Sequence, residues 1–137
     1  MSDKYFNWGI IGTGGIANAF SNDIKYLENH RISAVLSRSI DTAKSFCSDK
    51  PNCAEYDDIN LFLNSSNLDA VYIATLNNTH LKLIKLCAEN KKNILCEKPI
   101  ALNFKEAKEA ESYINKYNVI FYEAIAYCSH EQTKNLI

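Results

Sequence analysis

All 4 glycines of the 137-residue sequence, Gly9, Gly12, Gly14 and Gly15, fall in one short stretch. Within it, Gly12-Thr13-Gly14-Gly15-Ile16-Ala17 fits the pattern G-x-G-x-x-G/A, whose chemistry is the cradling of a pyrophosphate. Gly12 permits a tight turn, and Gly14 lets phosphate approach the backbone. Ala17 allows a helix to pack closely on a sheet. Free N–H groups and the dipole at the start of the following helix stabilise the negative charge. The cofactor-binding candidates here are Gly12, Thr13, Gly14, Gly15 and Ile16.

A second group lies roughly 20 residues further on, where NAD sites usually offer a carboxylate to the adenosine ribose. This sequence has Ser37-Arg38-Ser39 there. A carboxylate would repel a 2′-phosphate, whereas Arg38 forms charge-assisted bonds to one and Ser37 donates a hydroxyl. The pattern therefore favours NADP over NAD. S-adenosylmethionine-dependent methyltransferases also carry a glycine-rich first turn. They usually place acidic residues late in the first strand and after the second, and neither is present here.

A third group is Cys96-Glu97-Lys98-Pro99, at the carboxyl end of an apolar run. Partly desolvated beside a nicotinamide cation, the Lys98 ammonium would lose affinity for its proton and could exchange it with an alcohol or carbonyl. Glu97 could orient Lys98 or a ribose. Taken alone, the tripeptide reads equally as a solvated turn before a proline.

These groups need elements to position them. Phe6 to Ile11 reads as a buried strand, and Ile16, Ala17, Phe20, Ile24 and Leu27 recur at helical spacing. A second strand spans 31–36, followed by a helix capped by Asp41. A weak third strand spans 53–56, with Asp57 capping a short helix and the polar cluster 64–67 closing it. Asp69 to Thr75 is nearly continuous in apolar residues, as a central strand covered on both faces should be. Thr79 caps the next helix, 93–96 forms a strand halted by Pro99, and Asn103 opens a charged helix to Tyr117. Lys105 with Glu109 and Lys108 with Glu111 are expected ion pairs on its solvated face. A last strand spans 119–122, and 131–137 begins a further helix. Strands alternating with helices at this spacing predict an α/β domain with a doubly wound parallel sheet, the Rossmann fold.

Composition narrows the function classes. With 15 Lys+Arg against 16 Asp+Glu, the net charge of −1 offers no electrostatic footprint for nucleic acid or an anionic membrane. No apolar stretch reaches the ~18–20 residues that cross a bilayer, and residues 1–5 lack the apolar run of a signal peptide. The expected compartment is the cytoplasm. The 5 cysteines are widely spaced, without a C-x-x-C pair, and are expected as reduced, mostly buried thiols with no metal site.

The glycine motif, Ala74-Thr75-Leu76-Asn77-Asn78-Thr79-His80 and Cys96-Glu97-Lys98-Pro99 occur together in one order. In this the chain resembles the N-terminal half of the Gfo/Idh/MocA oxidoreductases. Phe121-Tyr122-Glu123-Ala124-Ile125-Ala126-Tyr127 looks most like the branch of the dihydrodiol and NADP-dependent aldose dehydrogenases. The resemblance implies that Lys98 is the catalytic lysine, that Glu97 contacts the cofactor, and that Thr75, Asn77 and His80 belong to the loop at the nicotinamide end. It places Glu123 near the cofactor as well. It further implies a sugar-like or diol substrate and a second, substrate-binding domain. On this reading residues 1–137 are the dinucleotide-binding domain, and 126–137 begin the segment leading to that absent domain. Where relatives commonly carry Arg and a His-Pro pair, this chain has Cys128-Ser129-His130-Glu131. A surface left uncovered, with Phe121, Tyr127, Leu136 and Ile137, is expected to promote homo-oligomers.

Overall fold

The computed structural model describes residues 4–65 and 67–136. Ser66 of the polar cluster, Ile137 of the expected apolar patch, and residues 1–3 lie outside that range.

Six strands form one sheet: β1 (Phe6–Ile11), β2 (His30–Leu36), β3 (Ala54–Tyr56), β4 (Ala70–Ile73), β5 (Asn93–Glu97) and β6 (Phe121–Ala124). Every pairing is parallel and the spatial order is β3-β2-β1-β4-β5-β6. The chain order reverses between β1 and β4, the switch point at which sheets of this kind bind ligands beyond their carboxyl ends. All four residues of β4 are buried, in agreement with the continuous apolar run that predicted a central strand.

The helices are α1 (Gly15–Asp23), α2 (Ile40–Cys47), α3 (Ile59–Leu63), α4 (His80–Glu89), α5 (Phe104–Tyr117) and α6 (Glu131–Lys134). Alternation along the strands sends side chains to two cores. Ile10, Val35 and Tyr72 join Ala17 of α1 and Ala43 and Phe46 of α2 on one face. Ile11, Leu36 and Ile73 join Phe62, Ile84, Cys87 and Ala110 of α3, α4 and α5 on the other.

Local chemistry sets the helix ends. Asn103 accepts the Glu106 N–H at 3.0 Å, and the Glu106 carboxylate accepts the Leu102 N–H at 3.1 Å, so one otherwise unpaired donor in the first turn of α5 and one just before the helix are satisfied. Asn118 ends the same helix in the left-handed region, φ 53°. Elsewhere the structure corrects the expected caps. Asp58, not Asp57, caps α3, accepting from Asn60 and Leu61. Helix α2 starts after Ser39, with Asp41 inside its first turn, where its charge faces the positive end of the dipole. The Thr79 hydroxyl bonds the Leu76 carbonyl and Thr75 Oγ1 instead of capping α4.

Two further expectations are corrected. Cys47 and Cys53 form a disulfide, their Cα atoms 5.6 Å apart, because the turn after α2 brings the start of β3 back against the helix. Cys87 and Cys96 are buried free thiols as expected, whereas Cys128 is free and exposed. Glu109 pairs with Lys85 of α4 at 2.7 Å rather than with Lys105, since it lies along the α4–α5 contact. Lys108 and Glu111 do pair. No described helix is long and apolar enough to cross a membrane, and no described group of His, Cys, Asp or Glu is arranged to hold a metal ion.

Candidate functional site at the carboxyl edge of the sheet

The turn after β1 is shaped by Gly12, whose φ of +103° disfavours any side chain. A Cβ there would stand 2.6 Å from the Ala74 carbonyl oxygen and 3.2 Å from Thr75 Cγ2. The turn therefore packs directly on the end of β4. Gly14 differs, because an added Cβ would meet nothing of the protein within 4 Å. The fold itself makes no steric demand for glycine there, and the approach to the backbone is open. Helix α1 begins at this point with no side-chain cap and no acidic residue in its first turn. Gly15 and Ile16 are exposed on that turn, while Ala17 is fully buried against the sheet. Uncapped N–H groups, an unopposed dipole and open space are what a bound phosphate requires.

Thr13 Oγ1 lies 3.3 Å from Ser37 Oγ, joining the glycine turn to the end of β2. Ser37 Oγ also lies 2.5 Å from Thr42 Oγ1, which donates to the Ser39 carbonyl. The loop is thereby pinned while Arg38 stays exposed, without a hydrogen bond or ion pair among the described residues. Its guanidinium is available to an anion beside the turn.

On the other side of the switch point, the loops after β4 and β5 are tied by one buried residue. His80, expected from the resemblance to line the nicotinamide end and otherwise as a solvated or capping histidine, is 0% exposed. Its Nδ1 is 2.9 Å from the Pro99 carbonyl oxygen and its Nε2 is 3.1 Å from that of Thr75. Both ring nitrogens face main-chain acceptors, so His80 holds the two loops from beneath. Thr75 is half-buried above it, and Asn77 is exposed on a short 3-10 turn, Asn77–Thr79, with its side chain unbonded among the described residues.

Strand β5 ends in Glu97, the exposed Lys98 follows it, and the Lys98–Pro99 bond is cis. Glu97 accepts the Tyr72 hydroxyl at 2.6 Å through Oε1 and the Lys98 N–H at 3.3 Å through Oε2. The Lys98 amine makes no bond among the described residues. Glu123, at the end of β6, accepts the Ile100 N–H at 2.8 Å and so braces the same loop from its far side. Burial, with the hydrogen bond to Glu97 and its charge added, pushes the Tyr72 phenol far above the ordinary tyrosine range. Tyr72 was not among the residues singled out from sequence. The signal was there, because a tyrosine in an otherwise apolar central strand must find a partner for its hydroxyl.

A groove of about 450 Å³ lies elsewhere, between α5 and β6, lined by Ile100, Phe104, Ala107, Ile114 and Phe121 with Lys108 and Glu111. It brings together few polar groups, whereas those at the strand ends converge. The strand ends are the candidate site.

The chain is 31% identical over 119 residues to the trans-1,2-dihydrobenzene-1,2-diol dehydrogenase of Xenopus laevis, covering 85% of this chain and 36% of that protein. It is 34% identical over 116 residues to a scyllo-inositol 2-dehydrogenase (NADP(+)) of Bacillus subtilis (strain 168), covering 85% and 35%. The chain thus spans about a third of the length of these curated relatives. A scyllo-inositol dehydrogenase from Lactobacillus casei, solved with NAD(H) and scyllo-inositol, shares the fold with a TM-score of 0.87 at 18% identity, over 97% of this chain and 40% of that one. Residues 6–125 match the model described as "Oxidoreductase family, NAD-binding Rossmann fold", and the chain belongs to that family, Gfo/Idh/MocA.

Proposed function

We propose that this chain is the NADP-binding part of a dehydrogenase acting on a hydroxyl or carbonyl of a sugar-like or diol substrate. The observation that carries the reading is the convergence at one sheet edge of the open glycine turn, the unpaired Arg38 and the Glu97-Lys98 strand end. Gly12 to Ile16 would hold the pyrophosphate. Ser37 and Arg38 would take the adenosine 2′-phosphate, a choice supported by the NADP(+) in the name of the Bacillus subtilis relative. Thr75, Asn77, Glu97 and Glu123 would border the nicotinamide half, with His80 supporting them. Bound there, the nicotinamide supplies the hydride chemistry.

The chain's own contribution at that end is a proton. In alcohol oxidation the neutral Lys98 Nζ accepts the proton leaving the substrate hydroxyl, and in the reverse direction the ammonium returns it to the forming alkoxide. Its free amine at the strand end is positioned by the turn that Glu97 and Pro99 define. We further assign residues 1–137 to a dinucleotide-binding unit, with 126–137 leading toward a substrate domain. A cytoplasmic location belongs to the same reading, and the Cys47–Cys53 disulfide is the observation it has to accommodate. So does self-association, for which Tyr127 at 68% and Leu136 at 86% exposure supply apolar surface.

A second reading is a dinucleotide-binding module without turnover of its own, favoured by the 36% share of the Xenopus laevis relative that the chain spans. Titrating the purified chain with NADP, NAD and S-adenosylmethionine, then assaying aldoses and diols, separates the readings. Both expect NADP to bind most tightly. Turnover by the chain removes the second, and preference for S-adenosylmethionine removes both.

A further inference from the structure

Tyr72 is 2% exposed in the middle of β4, and its ring packs on Phe20 of α1 with centroids 4.2 Å apart. From that fixed place its hydroxyl reaches Glu97, 25 residues on, at 2.6 Å. Register explains the reach: Tyr72 pairs with Leu95, so the phenol extends along its face of the sheet toward the residue two positions further on β5. The other Glu97 oxygen accepts the Lys98 N–H, which leaves the carboxylate spanning a buried donor and the backbone of the strand end.

We propose that Tyr72 is a positioning residue of the dinucleotide site. It aims the Glu97 carboxylate toward the nicotinamide half, from a ring held in place against Phe20 of α1. The inference rests on the dinucleotide reading above. A side chain at a strand end has torsions to spare, and a carboxylate with one oxygen unpaired turns toward water. A buried phenol cannot follow it, because its ring is clamped between the sheet and α1. Its hydroxyl also remains a donor, since burial and the Glu97 charge oppose its ionisation. Tyr72 thus supplies a stiff hydrogen bond to a charged acceptor, the kind that is strongest and most directional.

The test uses the 137-residue chain and two ligands, NADP and adenosine 2′,5′-bisphosphate, which carries the adenosine half alone. Both are titrated calorimetrically into the parent, Tyr72→Phe, Glu97→Ala, Glu97→Gln and the double variant Tyr72→Phe/Glu97→Ala. Tyr72→Phe and Glu97→Ala should each weaken NADP about tenfold, as loss of a hydrogen bond to a charged group does. Both should leave the bisphosphate unchanged. Glu97→Gln, which keeps an acceptor for Tyr72, should bind NADP more tightly than Glu97→Ala. The double variant should be no weaker than Glu97→Ala alone, because the two residues act as one unit.

Parent-like NADP binding by Tyr72→Phe overturns the inference. So does equal weakening of both ligands, which marks a merely structural role, and so do additive losses in the double variant. If Tyr72→Phe does not fold, Glu97→Gln decides: NADP binding no better than that of Glu97→Ala overturns it. A parent chain that binds neither these ligands nor NAD overturns the dinucleotide reading itself, an outcome distinct from all of these.

Discussion

The Nδ1 atom of His80 stands 2.9 Å from the carbonyl oxygen of Pro99, nineteen residues away in sequence, with the ring wholly buried. This contact and its counterpart to Thr75 join the loops after β4 and β5. Replacing His80 with Ala opens a cavity and removes the ring that links the Thr75 and Pro99 carbonyls. We expect a loss of about 2–4 kcal/mol in urea denaturation, together with weaker NADP binding. A stability loss without any change in binding would detach His80 from the site.

Two glycines of one motif should behave in opposite ways. Gly12→Ala forces a side chain into a φ of +103° and against the Ala74 carbonyl, so it should cost about 2–4 kcal/mol of stability. Gly14→Ala meets only open space, loses only the preference for glycine over alanine at a helix N-cap and should cost about 1 kcal/mol or less, yet weaken dinucleotide binding at least tenfold. Thermal melting and calorimetric titration of the two variants check both halves of this statement.

Arg38 is exposed and unpaired, so its removal should leave the fold intact. We expect Arg38→Ala to weaken NADP about tenfold or more and NAD hardly at all. Equal NAD and NADP affinity in the parent chain would remove the argument for a 2′-phosphate contact. Lys98→Ala should retain NADP binding and, in any form of the protein that turns over substrate, lower kcat with its pH dependence altered.

Thiol counting separates the cysteines. Native protein should expose one reactive thiol, Cys128, unfolding without reductant should reveal three, and unfolding with reductant five. Burial pushes the Cys87 and Cys96 thiols up from 9.0 to about 12. The folded state therefore binds their protons more tightly than the unfolded state. The associated stability is full below pH 9.0 and is lost as pH rises toward 12. Urea midpoints falling across that range, and less steeply in Cys87→Ala relative to its own neutral-pH value, are the expected result.

Features that act locally were legible in the sequence. The glycine turn announced itself because a positive φ and a close backbone approach admit few other residues. Asn103 and Pro99 marked ends because capping and a missing N–H act within a turn of chain. The run around Val71 marked the central strand because burial on both faces leaves no alternation. What was not legible depends on exact backbone direction at one cap and otherwise on distance in sequence. The choice between Asp57 and Asp58 as cap turns on which carboxylate the chain aims at the Asn60 and Leu61 N–H groups. Lys85–Glu109, Cys47–Cys53, Tyr72–Glu97 and the burial of His80 each follow from packing between elements, which spacing alone does not encode.

The adjacency of β1 and β4 also has a kinetic meaning. Trp8 lies against Ala70 and Ile11 against Ile73, while β2 and β3 intervene along the chain. Closing so long a loop spends chain entropy before the contacts that reward it exist. The glycine turn and the β4 loop therefore meet late, when the two halves of the sheet dock. Recovery of ligand binding after dilution from denaturant should lag behind the return of helical signal.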